Sequence, residues 1–153
     1  MTFVVAEIGV NWDGDFELVH EMMQRSKSAG CNAVKFQAYN EDIVKDHPQQ
    51  KRLLKSAISK SNIETIDQLA KKIGIEWFCT PMYADAVDLL QPYVSRFKVR
   101  EIDGRTLVQN KSTTLLEKIL KTGREIIVSS QESPRSSKYF RDSLVKWLYC
   151  IPT

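Results

Sequence analysis

Short apolar runs and helical stripes take turns along the chain. Phe3 to Ile8 is apolar except for Glu7, the pattern of a parallel strand covered on both faces. Phe16, Leu18, Val19, Met22, Met23 and Ala29 then recur at helical spacing, which predicts a helix from about Asp15, as N-cap, to Ala29. Ala33 to Gln37 predicts the next strand; Ile63, Ile66, Leu69, Ala70 and Ile73 predict a helix closed by Gly74, with Ile75 to Cys79 a strand behind it. Met82 to Leu90 reads as helix until Pro92 stops it, and Phe97 to Val99 reads as strand. Leu115, Leu116, Ile119 and Leu120 share a helix face ended by Gly123, followed by a strand from Glu125 to Ser129. Pro134 suits the first turn of a fifth helix to about Leu144, and Val145 to Ile151 predicts a sixth strand.

Gly30, Gly74 and Gly123 all stand where a helix turns back into a strand, so the repeating unit is βαβ and the sheet is parallel. No GxGxxG follows the first strand, which removes support for a dinucleotide-binding doubly wound sheet. Polar residues gather instead near the C-terminal ends of the strands: Glu7 and Asn11, Lys35 and Gln37, Thr80, Lys98, Ser129. Barrel active sites are assembled there, so the expected fold is an α/β (β/α) barrel of TIM type, with about six of the eight strands present. The stretch from Tyr39 to Asn62 breaks the rhythm, and it reads either as a solvated insertion or as a cover over the site face.

Lys35 and Lys98 sit in the middle of apolar strands, and Glu7 lies in a third. A charge held in a buried strand costs several kcal/mol unless a partner or ligand meets it, so the two lysines point to an anion site. Composition changes this picture little. The net charge of +3 is spread among mixed signs without a basic stripe, which argues against nucleic acid as a partner. Cys31, Cys79 and Cys150 are odd in number and widely spaced, as expected for reduced thiols in a cytoplasmic protein. No apolar stretch approaches the roughly 20 residues that span a bilayer, so no membrane partner is expected.

The motifs themselves resemble a known family. Ala6-Glu7-Ile8-Gly9-Val10-Asn11 with Asp13-Gly14-Asp15 resembles the AEIGxNHxGD opening of the sialic acid synthases, and Ala29 to Gln37 is similar to their AGADAVKFQ. Gly74-Ile75-Glu76-Trp77-Phe78-Cys79-Thr80-Pro81, Phe97-Lys98-Val99, and Leu116 through Ser129 resemble GIEFxSTPF, FKI and LLEKIAKTGKPVILS in the same order. The family also includes spore coat polysaccharide synthesis-type, legionaminic and pseudaminic acid synthases. The resemblance implies condensation of phosphoenolpyruvate with the aldehyde of an N-acetylmannosamine-type amino sugar, with release of phosphate. Lys35 and Lys98 would hold the phosphate and carboxylate, Thr80 and Ser129 would donate hydrogen bonds, and Asn11 and Gln37 would add neutral ones. Glu7 would orient a lysine or a sugar hydroxyl, or manage a proton as water attacks. A divalent metal, manganese or magnesium, is expected from the family, with its ligands not present in this chain.

Several positions depart from the family pattern. Its NHxG is Asn11-Trp12-Asp13-Gly14 here, its serine-glycine turn is Arg100-Glu101-Ile102-Asp103, and its TGM is Ser130-Gln131-Glu132. His20 and His47 do not occupy the family's late metal-binding positions and are expected at the surface. Trp147 to Thr153 is similar to the family's sixth barrel strand and is the last element read, without the antifreeze-like C-terminal domain. The chain is therefore expected to be a fragment, a truncated gene product or a short form completed by a homo-oligomer or a separate barrel segment, inactive or partner-dependent as it stands. Two other functions fit the residues: a Schiff-base aldolase using a strand lysine, and a non-catalytic barrel that binds phosphorylated sugars or a partner chain.

Overall fold

The computed structural model describes residues 2–151, and its six strands lie side by side in chain order, all parallel. β1 (Val5–Glu7) leads to α1 (Phe16–Ser28); β2 (Ala33–Ala38) is followed by α2 (Glu41–Val44), α3 (Gln50–Ser56) and α4 (Ile63–Ile73); β3 (Glu76–Pro81) leads to α5 (Ala84–Leu90). β4 (Arg96–Val99) is followed by α6 (Glu101–Val108) and α7 (Thr114–Lys121), and β5 (Glu125–Ser130) reaches β6 (Val145–Tyr149) through a loop with one 3-10 turn. Sequential parallel strands joined by helices form a (β/α) barrel, and β1 and β6 remain unpaired with each other, so it is the expected incomplete one. Pro152 and Thr153, at the end of the expected sixth-strand motif, lie outside the described residues.

Local signals place most elements. The Asp15 carboxylate accepts from the backbone N–H groups of Glu17 and Leu18, at 2.9 and 3.3 Å, and so starts α1. Gly74 ends α4 at φ 73°, a left-handed conformation in which its N–H reaches Ala70 O at 2.9 Å and the chain turns straight into β3. Strand side chains alternate: Val34 and Phe36 face the helices, whereas Lys35 and Gln37 face the barrel interior. Phe36 packs edge-on against Trp77 at 6.1 Å and Trp12 at 6.4 Å, and burial of each such ring stabilises the fold by about 2–3 kcal/mol.

Three regions differ from expectation. The stretch 134–144 forms no helix beyond Pro134–Ser136, because Ser137 Oγ donates to Leu107 O and the Asn110 side chain binds Ser136 O and Lys138 N, fixing the segment on the end of α6. α6 was not anticipated, since its buried face rests on Gly104, Leu107 and Val108 among charged residues. Gly104 lies so close to β5 that an added Cβ would come within 2.0 Å of Ser129 O. The stretch 39–62 is more than a solvated insertion: Tyr39, Val44 and Ala57 bury a small core of their own, against which Val10, Leu53 and Met82 pack.

Candidate functional site

β1 to β5 each contribute polar side chains to the interior near their C-terminal ends, and side chains on one face repeat every second residue. β2 and β3 pair Lys35 with Phe78 and Gln37 with Thr80, while β4 and β5 pair Lys98 with Ile127. The result is a cavity of about 380 Å³ lined by Glu7, Lys35, Gln37, Thr80, Lys98 and Ser129, together with Met82, Arg100, Leu148, Tyr149 and Cys150. That volume falls within the roughly 300–1,000 Å³ of small-molecule sites.

The two lysines are buried, at 3% and 6% exposure, and each is held differently. Lys35 Nζ donates to Thr80 Oγ1 at 3.3 Å and lies 3.4 Å from Glu7 Oε2, whose side chain is 63% exposed. Lys98 Nζ donates to Ser129 Oγ and to Val99 O, both at 2.6 Å. Burial, then the neighbouring Lys35 charge, push the Lys98 ammonium down to about 8, while Glu7 and Cys150 oppose the shift. Glu7 thus faces two buried ammonium groups, Lys35 and Lys98, across the cavity, while Arg100 on the same lining is already ion-paired with Asp103. Such an arrangement suits a ligand with two anionic groups.

Six of the seven expected site residues meet here, and Asn11 does not. It sits exposed in the turn after β1, its N–H bonded to Ile8 O at 3.0 Å, outside the cavity lining. Its neighbour Trp12 is buried and donates from Nε1 to Ser56 O at 3.0 Å, fastening this turn to α3. Arg52 adds an ion pair to Asp13 at 2.5 Å, and Ser56 Oγ bonds Val10 O at 3.0 Å. The stretch 39–62 is therefore fastened to the turn after β1, and its residues are not among the cavity lining.

Several lining residues escaped sequence reasoning. Arg100 carried a legible signal, two residues beyond Lys98 and so on the same face. Leu148 and Cys150 are set by the β5–β6 register, which places Leu148 opposite Ser129. Of the other bulky groups in the departing turns, Glu101 turns to Arg105 at 2.9 Å, and Gln131 and Glu132 line a separate hollow beside β6. Cys79 is fully buried, with its thiol pushed up chiefly by burial, whereas Cys150 is half-buried at the cavity.

Among the described residues, no three His, Cys, Asp or Glu side chains are grouped to hold a metal. Glu7 is the single carboxylate lining the cavity, and His20 and His47 border other surface hollows, so the residues present do not fit the divalent ion that the family resemblance implies. Among the described residues, no helix is long and apolar enough to cross a membrane.

Comparison with known proteins bears on the family and the fold. The chain is 34% identical over 132 residues to an uncharacterized protein of Methanocaldococcus jannaschii, covering 84% of this chain and 37% of that one. It is 29% identical over 140 residues to the N,N'-diacetyllegionaminic acid synthase of Legionella pneumophila, covering 79% and 39% respectively. It thus spans about two fifths of the length of these curated relatives. The crystal structure of the N-acetylneuraminic acid (sialic acid) synthetase of Leptospira borgpetersenii superposes with a TM-score of 0.78 at 24% identity, over 99% of this chain and 54% of that one, a likeness of fold. The NeuB family model matches residues 22–134, a span that runs from α1 through both buried lysines to the turn after β5, and the chain belongs to the NeuB family.

Proposed function

We propose that this cavity binds phosphoenolpyruvate, and that the chain is the phosphoenolpyruvate-holding part of a barrel that condenses it with an amino-sugar aldehyde. The observation that carries the reading is the pair of buried ammonium groups, Lys35 and Lys98, facing one cavity with a single carboxylate between strands of a NeuB-family fold. Phosphate and carboxylate would offset the desolvation of both lysines, which the protein's own groups leave largely uncompensated. The relative named as an N,N'-diacetyllegionaminic acid synthase supports the same substrate class.

In this reaction C3 of phosphoenolpyruvate bonds to the aldehyde carbon, whose oxygen takes up a proton. Positive character then gathers at C2 and water adds there, giving up one proton; the new hydroxyl then loses its proton to form the C2 keto group as the C2–O bond to phosphate breaks and phosphate leaves with the bonding electrons. Lys98 and Ser129 would hold one anionic group, Lys35 and Thr80 the other. Glu7, largely exposed and paired with Lys35, would accept the proton of the attacking water. Gln37 would hydrogen-bond a neutral oxygen of the substrate.

Calorimetric titration with phosphoenolpyruvate tests the binding half. Affinity that is lost in Lys35→Met and Lys98→Met supports the reading; affinity that survives both sinks it. Phosphate release with N-acetylmannosamine and manganese, with the remaining barrel segment supplied in trans, tests turnover. The lowered Lys98 ammonium favours one second reading, a Schiff base with a keto acid. Borohydride trapping of pyruvate on Lys98 would establish it, and an untrapped chain removes it.

A further inference from the structure

Arg100 opens the turn that departs from the resemblance's serine-glycine pattern, and it alone of the charged residues in that turn lines the cavity. It follows Lys98 by two positions, which sets it about 7 Å further along the strand direction, toward the mouth. Asp103, itself largely buried, takes its Nε edge at 2.7 Å. That contact fixes the guanidinium plane and leaves the terminal nitrogens: among the described residues neither makes a hydrogen bond. A planar fork with its back edge anchored is preorganised for a tetrahedral or carboxylate oxyanion.

Two lysines already match the two anionic groups of phosphoenolpyruvate, and Arg100, its Nε edge taken by Asp103, keeps its terminal N–H groups free to meet an oxyanion of a second substrate. We infer that Arg100 is a specificity-determining residue that recognises an oxyanion on the acceptor sugar, so that this chain takes an aldose bearing a phosphate or carboxylate in preference to a neutral one. The inference rests on the cavity being the phosphoenolpyruvate site, and it names the class of second substrate. It also gives the departure from the family's small turn a chemical consequence. A small side chain there would leave room for a neutral sugar, and an arginine fills that room with charge.

The test is calorimetric titration of the full chain with mannose 6-phosphate, glucuronate and mannose, each with and without saturating phosphoenolpyruvate. The expected result is that one or both anionic sugars bind at least tenfold more tightly than mannose, the stronger of them naming the phosphate or the carboxylate. Arg100→Ser abolishes this preference, Arg100→Lys retains part of it, and phosphoenolpyruvate affinity falls less than threefold in either. Circular dichroism and melting curves that match the parent chain exclude a folding defect. Asp103→Asn, which frees the guanidinium to swing, lowers the preference without removing it. Equal binding of the three sugars overturns the inference, as does a preference that survives Arg100→Ser. A tenfold or greater loss of phosphoenolpyruvate affinity in Arg100→Ser also overturns it, by placing the residue on the first substrate instead. If phosphoenolpyruvate fails to bind the parent chain, the proposed function fails, while the Arg100-dependent preference measured without it still decides the present point.

Discussion

Two charged clusters occupy the same inner face of the same sheet, two residues apart on β4, and they are satisfied in opposite ways. At the N-terminal end Arg96 meets Glu76 at 2.7 Å and also pairs with Glu125, while Phe3 lies 4.4 Å beneath its guanidinium. At the C-terminal end Lys98 has hydroxyl and carbonyl partners, and Lys35 has a hydroxyl and one exposed carboxylate. The first cluster is closed: its cation is surrounded by the protein's own anions. The second is open, since its cations are desolvated and their charge is not returned. Closed clusters hold a fold together, and open ones await a ligand.

Breaking the closed cluster has the largest expected effect. Arg96→Met leaves Glu76 and Glu125 facing each other and destabilises the chain by about 3 kcal/mol, read by urea unfolding, with phosphoenolpyruvate affinity little changed. The open cluster inverts both outcomes. Lys98→Met lowers phosphoenolpyruvate affinity by about 10–100-fold, the worth of a charge-assisted hydrogen bond, and leaves unfolding unchanged or raises its midpoint.

A pH series sharpens the contrast. Lys98 loses its proton near pH 8 in the folded chain and near its ordinary 10.5 in the unfolded one. Between these values the unfolded state binds more protons, so the Lys98 contribution to stability rises with pH, by at most about 1.4 kcal/mol per unit. The difference between parent and Lys98→Met unfolding curves isolates it from Cys79 and Tyr39, whose raised values act in the reverse sense. Over the same range phosphoenolpyruvate affinity falls, because the ammonium that meets the anion disappears. The smallest effect is at Glu7. Its carboxylate is largely solvated and 3.4 Å from Lys35, so Glu7→Gln changes stability by about 1 kcal/mol or less and tightens phosphoenolpyruvate binding a few-fold, measured by calorimetry.

Much of this was legible from residues alone. The buried lysines announce themselves because a charge in an apolar strand has few innocent explanations, and Gly74 announces a helix end because only that residue takes φ 73° without strain. Other features depend on contacts distant in sequence. The pattern of 101–108 hides a helix because its closest packing is made by Gly104, which has no side chain to register as apolar. Pro134 opens a helical turn as expected, but the bonds from Ser137 and Asn110 that stop it come from α6 and the loop behind it. Asn11 sits among strand-end polar residues in the sequence, yet the Trp12 anchor on Ser56 decides where its turn lies.

The contact at Gly104 works as a gauge. Its N–H bonds Arg100 O at 2.8 Å, so one helical turn joins the point where α6 touches β5 to the guanidinium at the mouth. A single methyl group at 104 would have to push that turn away from Ser129, carrying Arg100 with it, and would change the gap between the two ends of the cavity. The spacing between the first anion and the second is thus set by an atom the chain omits.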